Sequence, residues 1–105
     1  MNPVRYDAGS SEEFLEGVIV SKTLGGRDLI LIRRLGRVQC FLDQCSHQPI
    51  KLSEFGELSA GRLVCHAHAG TFDMDQNGAV VSGPPCDGLT SFRCEEDAQQ
   101  VSVYI

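Results

Sequence analysis

Apolar and β-favouring residues fall in short runs closed by turn-forming residues, at the intervals of an all-β sandwich or barrel. The runs span residues 18–21, 28–33, 38–42, 62–65 and 100–105. Gly25-Gly26 and Leu35-Gly36 read as tight turns between them, and Asn77-Gly78, set between Phe72 and Val80, carries a strong type I′ hairpin signal. The topology predicted is antiparallel. No apolar period of helical spacing competes. The helix-start signal is Ser10 with Glu13 three residues on, ahead of Phe14 and Leu15, which predicts a capping box on one short turn. Residues 43–87 differ in character: they hold all three histidines, three of the five cysteines and three of the four prolines. They read as a loop-built insertion on a β scaffold.

At 105 residues the chain has the size of one domain over residues 1–105, burying roughly two-thirds of its unfolded surface. A formal charge of −5 disfavours nucleic acid and an anionic membrane as partners and favours a partner with a basic docking face. The charge is uneven. Lys22, Arg27, Arg33, Arg34 and Arg37 crowd one stretch, read as a solvated hairpin, while acids dominate residues 7–16 and 95–97. No apolar run approaches the length of about 20 residues that spans a bilayer, and the N-terminus lacks the features of a secretion signal, so a cytoplasmic monomer is expected. Cys40, Cys45, Cys65, Cys86 and Cys94 are odd in number and scattered, which argues against a disulfide framework and suits thiols used as metal ligands.

Two mixed ligand pairs stand out. Cys45-Ser46-His47 is followed, after seventeen residues, by Cys65-His66-Ala67-His68. Both pairs lie where a strand-like run has just ended, so two neighbouring loop tips would offer two thiolates and two imidazoles to one site. Structural zinc also takes two cysteines and two histidines, but its usual pairs group like with like. A thiolate and an imidazole on each loop suit a two-iron cluster in which one iron takes both sulfurs and the other both ring nitrogens.

CSHQPIKLSE, the spacer, CHAHAGTF and the later SGPP resemble the CxH and CxxH boxes of Rieske proteins over about residues 40–86. The resemblance implies a small antiparallel β-sandwich bearing a cluster-binding subdomain, at about residues 43–87, and one [2Fe-2S] cluster. It implies Cys45 and Cys65 as ligands of the buried iron and His47 and His68 as ligands of the outer one. His66 has no ligand role in that pattern and reads as an exposed neighbour; Pro84 and Pro85 would form a rigid loop shielding one side. Two ferric ions, two sulfides and two thiolates sum to zero charge, so neutral imidazoles make an added electron less costly than four thiolates would.

The chain departs from the high-potential respiratory members, which carry an extra cysteine in each box; here those positions are Ile50 and Ala67. Their sulfur-bonding serine and tyrosine are replaced by Gly70 and Phe72, which predicts a potential toward the low end of the family's span of about −150 to +300 mV. The pattern is closer to the small Rieske ferredoxins of bacterial aromatic-hydrocarbon oxygenases, those of toluene-type monooxygenases in particular. The function this implies is electron carriage, without substrate chemistry, from a flavin-containing reductase to a terminal oxygenase. The alternatives are a Rieske-type small subunit of an assimilatory nitrite reductase and a zinc-stabilised binding module. Cys40, Cys86 and Cys94 receive no role, and Phe41, Phe55, Phe72 and Phe92 read as packing residues.

Overall fold

The structure is a computed structural model that describes residues 3–44, 50–66, 70–82 and 88–105. The run Leu29-Ile30-Leu31-Ile32 organises it. Successive side chains of a strand point to opposite faces, so four consecutive apolar residues call for cover on both sides. All four are fully buried. They belong to β3 (Arg27–Arg34), which pairs antiparallel with β2 (Ile19–Leu24) through the Gly25-Gly26 turn and with β4 (Arg37–Leu42) through the Leu35-Gly36 turn. Leu29 and Leu31 face a core shared with Phe14, Cys40, Val101 and Val103, whereas Ile30 and Ile32 face a second core with Phe41, Leu52, Leu63, Cys65 and Phe72.

The first core is lined by strands of one sheet together with Phe14, and the second by strands of both sheets. A six-stranded sheet runs β1-β10-β9-β4-β3-β2, where β1 is Arg5–Ser10, β9 is Ser91–Asp97 and β10 is Gln100–Tyr104. A four-stranded sheet runs β5-β6-β7-β8, formed by Gly56–Ser59, Arg62–Cys65, Gly70–Asp73 and Ala79–Ser82. Every ladder within the two sheets is antiparallel among the described residues. The small sheet lies between β4 and β9 in chain order, as an insertion. The architecture is the all-β antiparallel sandwich expected.

Several local expectations need correction. The turn at Ser11–Glu13 forms, with the Glu13 carboxylate accepting the Ser10 N–H at 2.8 Å. It has company: α1 (Leu52–Phe55) carried no start signal, because Lys51 offers no side-chain cap, whereas a second single turn at Met74–Gln76 starts from Asp73, whose carboxylate accepts the Asp75 N–H at 2.9 Å and which sequence reading passed over. Asn77 and Gly78 do take positive φ, 57° and 83°, but they close that second turn instead of making a two-residue hairpin. The basic stretch is not simply solvated. Arg33 is mostly buried and bonded to Glu96, Lys22 meets Glu13 and Arg34 meets Asp75.

Candidate metal centre

The first ligand segment is held at both ends. β4 ends at Leu42, whose N–H donates to the Thr90 carbonyl at 2.8 Å, and the next residue, Asp43, donates its N–H to the Asp28 carbonyl at 2.8 Å. Beyond the segment, Lys51 pairs with the Asp28 carboxylate at 3.4 Å, and Leu52 is buried in the core. The buried Asp43 carboxylate accepts from both the amide and the hydroxyl of Ser53. Sequence reading passed over Asp43 and Ser53. The signal was available: both are residue types that satisfy free amides at helix starts and turns.

The second segment begins at Cys65, the last residue of β6, which pairs with Gly56 on one side and Gly70 on the other. Its side chain is fully buried among Leu52, Leu63 and Phe72, so its sulfur sits in an apolar wall at the end of the small sheet. The N–H of the following residue, His66, donates to the Phe55 carbonyl at 2.9 Å. This bond matters most for convergence, since Phe55 ends the helix that follows the first ligand segment. The two segments are therefore neighbours at their flanks, as a shared site requires. Cys45, His47 and His68 lie outside the described residues, as do Gln48, Ala67, Pro84, Pro85 and Cys86.

His66 is exposed, 59% by side chain, with Nε2 2.5 Å from Glu57 Oε2, which agrees with its reading as a neighbour of the site. Among the described residues no group of three or more histidine, cysteine or carboxylate side chains forms a rival metal site. Cys40 and Cys94 belong to the other core. Burial pushes the Cys40 thiol up to about 12 and the Cys94 thiol up to about 11, so both stay protonated at neutral pH and neither offers a thiolate. Phe41 and Phe72 are core residues, whereas Phe55 is 43% exposed beside the site.

The donor chemistry fits a two-iron cluster: a thiolate costly to bury alone is stabilised by ligation to ferric iron, and the buried position of Cys65 suits the inner metal. Comparison with known proteins agrees. The family described as Rieske [2Fe-2S] domain matches residues 4–93. The ferredoxin component of the naphthalene 1,2-dioxygenase system of Pseudomonas aeruginosa is 25% identical over 97 residues, covering 92% of this chain and 91% of its own. The biphenyl dioxygenase ferredoxin subunit of Pseudomonas sp. strain KKS102 is 36% identical over 61 residues, 58% of this chain and 55% of that protein. A solved oxygenase and ferredoxin complex of carbazole 1,9a-dioxygenase superposes with a TM-score of 0.86 at 25% identity, over 95% of this chain. The chain spans only 28% of the solved chain it matches there.

Proposed function

The chain belongs to the Rieske [2Fe-2S] domain family, whose domain implies one [2Fe-2S] cluster, and from that premise we propose that it is an electron-carrying ferredoxin of an aromatic-hydrocarbon oxygenase system. It takes one electron from a flavin-containing reductase and delivers it to a terminal oxygenase; the resemblance of both boxes, HQPIKLSE and CHAHAGTF, favours an oxygenase of the toluene monooxygenase type. The observation that carries this reading is the His66 to Phe55 backbone bond, which ties the second ligand segment to the helix that ends the first.

Cys45 and Cys65 would hold the inner iron through sulfur, and His47 and His68 would hold the outer iron through ring nitrogen. When bound, the cluster supplies one reversible one-electron step. The protein's own residues do the rest. Cys65 and its apolar neighbours keep water from the inner side, while residues 43–87, taken as a cluster-binding subdomain, present the imidazoles toward a partner. Pro84 and Pro85, as the family pattern implies, would shield one flank without adding amide donors. Gly70 and Phe72 offer no hydroxyl to sulfur, so the reduced state is stabilised less than in members that place serine and tyrosine there.

Absorption and EPR spectra before and after dithionite reduction, with iron and sulfide counted, test the site. His68→Ala and Cys45→Ala should each abolish the two-iron spectrum; a native spectrum in either would overturn the ligand assignment. Electron delivery from a flavoprotein reductase through the loaded protein to an oxygenase tests the role. A colourless protein holding one zinc ion would instead support the stapled binding module.

A further inference from the structure

Asp43 occupies an unusual position for a carboxylate. It is only 6% exposed, and it accepts two hydrogen bonds from one residue ten positions on: the Ser53 amide at 2.8 Å and the Ser53 hydroxyl at 2.6 Å. Its own N–H is bonded to Asp28 at the start of β3. A single residue thus joins the six-stranded sheet to α1 across the segment that carries the first ligand pair.

The reason lies at the start of α1. Amides in the first turn of a helix have no partner within it, and a side chain just ahead of the helix normally accepts from one of them. Here the preceding residue is Lys51, which provides no such cap, and Ser53 is the second residue of the turn. Asp43 supplies the missing acceptor from the far side of residues 44–52. Capping the helix and closing the loop are one interaction, so the separation between the loop's two ends follows from where the carboxylate is held. The Lys51 pair with Asp28 adds a second tie to the same hairpin, though both of its side chains are half exposed and it contributes less.

We propose that Asp43, acting through Ser53, is a positioning residue that presents Cys45 and His47 to the cluster in one geometry. The inference rests on the ligand assignment proposed above. Asp43→Ala, Ser53→Ala and the double variant would be purified with cluster bound, beside Asp43→Asn and a control, Val101→Ala, which removes core volume in β10. Three quantities are read well below the unfolding temperature: the rate of iron release to a chelator, the EPR line shape of the reduced protein, and thermal stability.

Asp43→Ala should release iron about ten-fold faster, the scale seen when partners that orient metal ligands are lost, and broaden the EPR signal, while Ser53→Ala, which loses the hydroxyl bond and keeps the amide bond, should shift both in the same direction by less. The double variant should be no faster than Asp43→Ala, because Asp43→Ala already removes the acceptor of both Ser53 bonds. Asp43→Asn should stay near the wild-type rate, since its Oδ1 can accept from the Ser53 amide and its Nδ2 can donate to the Ser53 hydroxyl. Val101→Ala should lose thermal stability without faster release. Wild-type release and line shape in folded Ser53→Ala and Asp43→Ala would overturn the inference, as would release in Val101→Ala that rises as much for the same loss of stability. A wild-type protein without a two-iron spectrum would overturn the ligand assignment, and the inference with it.

Discussion

Arg33 shows how much one residue can organise. Its Nε donates to the Phe14 carbonyl at 2.6 Å, one terminal nitrogen to the Gly36 carbonyl at 2.8 Å, and the fork grips the Glu96 carboxylate at 3.0 and 2.7 Å. The guanidinium bonds hold the Glu96 carboxyl at about 2, below its ordinary 4.5. A depressed carboxylate stabilises the fold above its unfolded pKa and loses that contribution as pH falls through the window from 4.5 toward 2. With the pair partly open to solvent, the contribution at neutral pH should be about 1–2 kcal/mol. Denaturant titration of Glu96→Gln against wild type should show that gap at pH 7 and less than half of it at pH 3; an equal gap at both would refute the linkage. Phe72, fully buried next to the site, gives a second test. Phe72→Tyr should raise the midpoint potential by about 60 mV if its hydroxyl bonds to sulfur, one bond of about 1.4 kcal/mol. A fall in thermal stability with no change in potential would mean the hydroxyl is buried without a partner.

At the scale of elements, glycine and left-handed residues decide how the strands connect. Gly56 joins α1 directly to β5 between the two ligand segments, and a Cβ there would lie 2.5 Å from the Leu52 carbonyl oxygen. Gly56→Ala should therefore cost about 1–3 kcal/mol, read by denaturant unfolding, because the obstacle is backbone and cannot swing away. The β9–β10 turn is the opposite case. Ala98 and Gln99 both take positive φ, 51° and 65°, where neither residue type is at ease. Replacing them with Asn-Gly should stabilise the protein by about 1 kcal/mol, measured as a higher unfolding midpoint. A lower midpoint would show that the native side chains matter more than the turn. The strained turn also explains part of what sequence reading missed: β9 borders Ala98-Gln99, which gives no turn signal, whereas the Ala60-Gly61 turn beside β5 does carry a glycine, at φ 79°, that was passed over.

For the whole molecule, folding sorts the charge. The acids of both terminal stretches come back onto the basic hairpin, Glu13 to Lys22 and Glu96 to Arg33, while Glu16 accepts the amides of Leu35 and Gly36 at its turn. Glu57 and the neighbouring Glu54 stay exposed beside the second ligand segment, next to the half-exposed Phe55. An apolar residue rimmed by acids suits a basic partner face. Electron transfer to the proposed oxygenase partner should slow as salt rises toward about 0.5 M, where screening falls within a few ångströms; a rate indifferent to salt would argue against charge-guided docking.

The sequence by itself determined the β class, the glycine turns, the double-faced burial of the Leu29–Ile32 run and the pairing of a thiolate with an imidazole on each of two segments. Each follows from local periodicity, local backbone freedom or ligand chemistry, which a linear chain displays directly. Tertiary structure alone decided that the described flanks of the two segments meet, that Arg33 leaves solvent for Glu96, and that Asp43 caps a helix ten residues away. These depend on where the β3 hairpin and the small sheet meet in space, and no local pattern encodes a contact whose partners are set by packing.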